Sequence, residues 1–225
     1  MPAAGCGSRF GGAVPKQYRH VAGRPLMAHA LDALLAHPLV TGAMVALAAD
    51  DTHWPGWTEL RGKPVLRCIG GGERADSVLA ALQALPEAVD DDALVLVHDA
   101  ARPNLQATDI DRLIEAASRH LDGAILAAPV RDTLKRADAE TRIVATEPRR
   151  DLWRAMTPQA FRRGALTAAL LQARADGVVV TDEAMAMERA GFRPRLVEGR
   201  EDNLKVTTSA DLALAEFLLL QRQLP

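Results

Sequence analysis

The run Pro25-Leu-Met-Ala-His-Ala-Leu-Asp-Ala-Leu-Leu-Ala-His37, followed beyond Pro38 by Ala43-Met-Val-Ala-Leu-Ala-Ala49, decides how this chain folds. Hydropathy alone would take residues 30–49 for one membrane-length apolar segment. Asp32, His37 and Pro38 interrupt it and no basic anchors flank it, so that reading fails. Leu31, Leu34 and Leu35 recur at helical spacing behind Pro25, a residue suited to a first helical position, and Pro38 separates this helix from the next apolar run. That run, residues 43–49, is short and of buried-strand length. Helix followed by buried strand is the repeating unit of an α/β fold.

Outward from this unit the alternation continues. Residues 64–69 read as a strand, and residues 73–85 as a helix with Val78, Leu79 and Leu82 on one face. Residues 93–97 are wholly apolar, as expected of a strand covered on both faces. Residues 107–120 read as a helix and 123–130 as another strand. The rhythm predicts a Rossmann-like, mainly parallel sheet wrapped by helices. It breaks where residues 131–136 and 142–146 alternate polar and apolar side chains across the connection Ala137-Asp-Ala-Glu-Thr141. That pattern predicts a projecting two-stranded β-arm. A lone hairpin is marginal in water, so a second subunit is expected to cover it. Residues 161–175 and 182–190 read as helices, 193–197 as a strand and 209–221 as a closing helix. Without internal repeats or a long linker, residues 1–225 are expected to be one domain, with the arm at about 131–157.

Composition removes several function classes. With 48% hydrophobic and 25% charged residues in 225, the chain is neither a miniature scaffold nor wholly disordered. A net charge of −2 argues against a broad nucleic-acid-binding surface, while leaving room for a local basic pocket. Cys6 and Cys68 are too few for a disulfide framework or a four-thiolate zinc site. The histidines show no metal-ligand spacing of the H-E-x-x-H kind. The Leu-rich end carries Asp211, Glu216 and Arg222, which suits a docking helix better than a membrane anchor. No secretion signal follows Met1, so the expected location is cytoplasmic.

The segment richest in chemistry is Pro2-Ala-Ala-Gly-Cys-Gly-Ser-Arg-Phe-Gly-Gly-Ala-Val-Pro-Lys16. Gly5 and Gly7 let backbone amides approach phosphate closely, and Arg9 and Lys16 supply positive charge. It is not a dinucleotide fingerprint, because Phe10 stands where the third glycine of G-x-G-x-x-G would fall. Nor is it a Walker loop, since no Gly-Lys-Ser/Thr follows. Asp99 comes directly after an apolar strand, the usual place for a ligand-contacting residue in an open α/β sheet.

Seven blocks in order resemble the 2-C-methyl-D-erythritol 4-phosphate cytidylyltransferase family. They are the opening Pro2-Ala-Ala-Gly…Arg9…Pro15-Lys-Gln-Tyr18, then Gly70-Gly-Gly-Glu-Arg-Ala-Asp-Ser77, Val97-His-Asp-Ala-Ala-Arg-Pro103 and Ala127-Ala-Pro-Val-Arg-Asp-Thr133. Leu152-Trp…Thr157-Pro-Gln159, Thr181-Asp-Glu-Ala184 and Val197-Glu-Gly-Arg-Glu-Asp-Asn-Leu-Lys205 complete the series. The resemblance implies a nucleotide-diphospho-sugar transferase-like fold, CTP and the sugar phosphate as substrates, a magnesium ion and a homodimer joined through the arm. It implies catalytic roles for Arg9, Lys16, Arg149 and Lys205. Pro2, Ala3, Ala4, Gly5, Gly7, Gly71 and Ser77 would surround the cytidine nucleotide. Asp99, Arg102, Thr133 and Thr181 would meet the acceptor, and Asp99 with Asp202 would hold the metal. Arg149 stands beside Arg150, and ungapped counting from Leu152 selects the former. Thr181 and Arg102 also suit plain structural roles, as helix cap and loop ion pair.

The pattern departs from the family in two places. Relatives carry a short apolar strand before Pro-Ala-Ala-Gly, where only Met1 stands here, so the strands beside it are expected to lose pairing and the natural start to lie upstream. Gly72 stands where some relatives have an acidic residue. Three rivals remain at the level of sequence: a cytidylyltransferase for another polyol phosphate such as ribitol 5-phosphate, an inactive nucleotide-binding module, and a dinucleotide-dependent oxidoreductase.

Overall fold

A computed structural model describes residues 1–5 and 14–222 of the chain. A 3₁₀ turn over Lys16–Tyr18 leads into a small hairpin of β1 (His20–Val21) and β2 (Arg24–Pro25). Then come α1 (Leu26–Leu35), β3 (Ala43–Leu47), β4 (Glu59–Leu60), β5 (Lys63–Ile69), α2 (Arg74–Gln83) and β6 (Leu94–Val97). The second half holds α3 (Ala107–Arg119), β7 (Ala124–Pro129), the hairpin β8 (Leu134–Ala137) and β9 (Ile143–Glu147), and β10 (Trp153–Arg162). It closes with α4 (Arg163–Ala175), α5 (Glu183–Arg189), β11 (Arg195–Glu198) and α6 (Ser209–Gln221).

The main sheet runs β11-β7-β10-β6, and a second runs β3-β5-β4. β7 shows why its residues make a central strand. Ile125 packs with Val78, Phe161, Leu166 and Met187 beneath α2, α4 and α5. Its neighbours Ala124, Leu126 and Ala128 pack with Ile110, Leu113 and Ala117 of α3 on the opposite face. Alternation with both faces buried is the signature of a covered strand, and each fully buried large side chain contributes about 1.5–3 kcal/mol. A third cluster seats Met27, Leu31 and Leu35 of α1 on Val45, Leu47 and Val65. The α/β class expected from the alternation is the class observed.

β10 was not legible as a strand. It pairs antiparallel with β6 and with β7, while β3 with β5 and β7 with β11 are parallel. Pro158 lies inside it, and its register against β7 shifts between Ala155 and Gln159. A proline and an irregularity erase the alternation by which a strand is recognised. The arm is correspondingly shorter than expected. Its ladder spans Leu134 to Glu147, whereas Trp153, Arg154 and Ala155 pair with Pro129, Ala128 and Ala127 in the main sheet.

Pro2 makes a parallel bridge to Ala46, and Ala3 N–H donates to Ala46 O at 2.8 Å. No ladder among the described residues joins β3 to β6. An apolar cavity of about 270 Å³, lined by Met1, Met44, Val78, Leu82 and residues 94–97, lies between them. Among the described residues no helix is long and apolar enough to cross a membrane.

Candidate active site

Five chain segments converge on a cavity of about 170 Å³ at the ends of these strands. Residues 2–5 and Gln17 line one part of it, residues 71–74 and Ser77 another, and residues 99–101 with Lys16 and Lys205 the rest. Local hydrogen bonds explain how each arrives. Gln17 Nε2 donates to Ala3 O at 2.8 Å and fixes the first segment to the turn beyond the glycine-rich stretch. Gly70 is the point where that segment meets α2. A Cβ there would stand 2.7 Å from both Ala4 Cβ and Ser77 Oγ, so only glycine allows the approach. Ser77 itself is buried, and its hydroxyl accepts from Gly71 N–H at 3.2 Å. Glu73 and Asp76 cap α2 reciprocally, aiming its N-terminus at the cavity loop.

The loop after β6 is held by a buried chain of hydrogen bonds. Arg102 O can only accept, so the His98 Nε2 that lies 3.0 Å away carries the proton and donates to it. His98 Nδ1 is then an acceptor for the Thr157 hydroxyl at 2.9 Å, and Thr157 Oγ1 accepts Asp99 N–H at 3.0 Å. Burial drives the His98 pKa down to about 4, so the ring stays neutral in this role. His98 therefore orients the loop.

Asp99 is 6% exposed and surrounded by cations. Lys205 Nζ lies 2.9 Å from Oδ2, Arg74 Nε donates to Oδ1 at 3.0 Å, and Arg102 Nε stands 3.7 Å from Oδ2. Burial alone would raise this carboxyl. Arg74, then Lys205 and Arg102, outweigh it and hold Asp99 well below the usual carboxylate range. Arg74 also donates Nη1 and Nη2 to the two oxygens of Glu183 at 2.6 and 3.0 Å, and Glu183 is 1% exposed. Lys16 Nζ donates to Val206 O at 3.3 Å, which brings it beside Lys205.

The structure thus draws together Pro2, Ala3, Ala4, Gly5, Lys16, Gly71, Ser77, Asp99 and Lys205. Arg102 is buried against them, with Nη1 donating to Asn203 O at 2.7 Å. Gly7 and Arg9 lie outside the described residues. Thr133, Arg149 and Arg150 are exposed about the base of the arm, and Arg149 donates to Arg131 O there. Thr181 is exposed against Met185 Sδ, and the cap of α5 is Asp182, which accepts from Met185 N–H. Asp202 sits apart from Asp99. Its oxygens receive Arg200 at 3.0 and 2.9 Å and Arg222 at 3.5 Å, and it lines a different cavity from Asp99, so the two do not form a carboxylate pair. Among the described residues no three His, Cys, Asp or Glu side chains gather into a metal-holding group. Thr157, Arg74 and Glu183 were not singled out from sequence.

A helix-wrapped sheet whose strand ends gather a glycine loop at residues 71–73, two lysines and an ionised aspartate has the makings of an α/β nucleotidyltransferase. Comparisons sharpen the class. The family model described as "IspD: 2-C-methyl-D-erythritol 4-phosphate cytidylyltransferase" matches residues 1–221. A protein of that name from Stenotrophomonas maltophilia (strain K279a) is 64% identical over 222 residues, covering 99% of this chain and 96% of that one. One from Xanthomonas campestris pv. campestris (strain 8004) is also 64% identical, covering 99% and 84% respectively. Among solved structures, a 4-diphosphocytidyl-2C-methyl-D-erythritol synthase superposes with a TM-score of 0.83 at 35% identity, covering 97% of this chain and 95% of that one. The cytidylyltransferase of Francisella tularensis superposes at 0.82 with 33% identity, covering 96% of each. The chain belongs to the 2-C-methyl-D-erythritol 4-phosphate cytidylyltransferase family.

Proposed function

We propose that this chain joins the cytidylyl group of CTP to the phosphate of 2-C-methyl-D-erythritol 4-phosphate, forming 4-diphosphocytidyl-2-C-methyl-D-erythritol and pyrophosphate. An acceptor phosphate oxygen attacks the α-phosphorus of CTP. The bond to the oxygen bridging the α- and β-phosphorus breaks, and its electron pair leaves with pyrophosphate. The attacking phosphate is already ionised at neutral pH, so no protein base or nucleophile is required. The protein supplies alignment and positive charge as negative charge accumulates.

The observation that carries this reading is the cavity itself, which joins four of the family-like blocks around a Lys16–Asp99–Lys205 cluster. Lys16, with Arg9, is assigned to the α-phosphate and the leaving group. Residues 2–5, Gly7, Gly71 and Ser77 are assigned to the cytidine nucleotide. Lys205 and Arg102 are assigned to the acceptor phosphate, and Asp99 to the polyol. Magnesium would be carried in chiefly on the phosphate oxygens of the triphosphate, where it would neutralise charge on the leaving group. Asp99, the carboxylate assigned to it, already meets Lys205, Arg74 and Arg102 and would have to exchange one of these partners to reach the ion.

The arm exposes Ile143 and Val144, at 69% and 62%. That supports a homodimer in which Thr133 and Arg149 of one chain reach the acceptor site of the other, with Thr181 supplied by the chain that holds the cavity. We assign it to the cytoplasm, where CTP is supplied.

The test is pyrophosphate release from CTP and magnesium with either 2-C-methyl-D-erythritol 4-phosphate or ribitol 5-phosphate. Turnover with the first alone is expected. Turnover only with ribitol 5-phosphate would overturn the acceptor, and CTP binding without release would mark a nucleotide-binding module. Lys16→Ala should lower kcat by about 100-fold or more while the protein stays folded.

A further inference from the structure

Arg74 and Glu183 play no part in the reaction steps, yet they form a buried ion pair beside the cavity, with the Glu183 side chain only 1% exposed. Arg74 opens α2 directly after the glycine loop, at residues 70–73, that lines the nucleotide side. Glu183 opens α5, 109 positions further along the chain. Each guanidinium nitrogen is engaged: Nη1 and Nη2 with Glu183 at 2.6 and 3.0 Å, and Nε with Asp99 at 3.0 Å. Neither end of this bridge is loose. Ala184 N–H donates to Gln159 Oε1 at 2.9 Å, and Gln159 Nε2 donates to Asp182 at 2.9 Å, so α5 is fastened to β10. Asp99 is fastened to the same strand through Thr157.

We propose that Arg74 is a positioning residue, anchored by Glu183, that sets the distance between the nucleotide loop and Asp99. This role rests on the transferase reading of the site. In-line transfer requires CTP and acceptor to be held at one separation, and the two are gripped by different segments. Residues 70–77 carry one, and Asp99 with Lys205 carries the other. Among the described residues, Arg74 is the side chain that belongs to the first segment and bonds the second. A lysine there would keep the charge but could not offer three donors in a plane to two carboxylates. The pair therefore acts through geometry more than through charge, and its loss falls on the aligned complex and not on the binding of either substrate.

Two variants test this. Arg74→Lys keeps the cation. The double variant Arg74→Met with Glu183→Gln removes the pair without leaving a buried carboxylate unpartnered, which protects folding. Steady-state kinetics with both substrates are read beside near-ultraviolet dichroism and thermal melting. Both variants should fold and show kcat lowered by about 10- to 100-fold, with each KM within about threefold of the parent. A parental kcat in folded Arg74→Lys would show that charge alone suffices and overturn the proposal. So would a loss confined to one KM, or a lowered melting temperature with parental kcat. If the unaltered enzyme shows no turnover, the transferase reading fails and the positioning role falls with it. Failure of the variants' pattern in an active enzyme overturns the positioning role alone.

Discussion

Replacing Thr157 by valine removes one hydroxyl at nearly constant shape, and its consequence can be worked out atom by atom. The hydroxyl donates to His98 Nδ1 at 2.9 Å and accepts Asp99 N–H at 3.0 Å. Thr157 is 4% exposed and His98 fully buried, so water does not replace either bond without rearrangement. Two buried polar groups each lose their partner at about 1–3 kcal/mol, which gives roughly 2–6 kcal/mol in all. That is a large share of the about 5–15 kcal/mol that holds a domain folded. Function should suffer as well, because the Asp99 backbone loses its tie to β10, and small displacements of an aligned group cost on the order of 100-fold in rate. Denaturant titration gives the stability and pyrophosphate release gives the rate, with Thr157→Ser as the control that restores the hydroxyl. A valine variant within about 0.5 kcal/mol of the parent, the range of an ordinary surface change, would refute this hydrogen-bond chain.

Other perturbations probe separate parts of the structure. Gly123 has φ of +80°, and a Cβ there would overlap the Phe161 ring and stand 2.6 Å from Ala160 O. Gly123→Ala should therefore cost about 2 kcal/mol or more, read as a lowered urea midpoint, and an unchanged midpoint would contradict the packing of β7 on β10. Asp211 accepts from Thr207 Oγ1 at 2.7 Å and from the Thr207 and Thr208 amides, which lowers its pKa to about 2. Its contribution to the α6 cap is present above its unfolded value of 3.8 and lost as the pH falls through about 2. Asp211→Ala should cost about 1 kcal/mol at pH 7 and little at pH 2, and a pH-independent difference would remove the carboxylate from the cap. Arg149→Ala should raise the acceptor KM more than Arg150→Ala, and the reverse order would exchange their roles.

How much of this was legible beforehand differs by feature. The helix expected over residues 209–221 is observed with those bounds, and Thr208 with Asp211 forms the capping box that starts it. α1 and β3 announced themselves through leucine spacing and the break at Pro38. β10 was hidden by Pro158 and by a register shift that no periodicity reveals. The same distinction runs through the site. Gly5, Lys16, Asp99 and Lys205 stand in recognisable blocks, and the fold brings them to one cavity. Arg74 and Glu183 also stand in such blocks, yet their bond spans 109 positions and depends on burial, which sequence does not display. For Asp202 the block is likewise legible and the contacts are not: Arg200 and Arg222 claim its oxygens.

The central claim is a direct displacement in which the acceptor's own phosphate oxygen becomes the new bridge to the cytidylyl phosphorus. Acceptor phosphate labelled with ¹⁸O, incubated with CTP, magnesium and the enzyme, tests it by mass spectrometry of the products. Direct displacement requires every label atom to appear in the diphosphocytidyl product and none in pyrophosphate. Label-free cytidine monophosphate in place of that product, or unconsumed CTP, would contradict it.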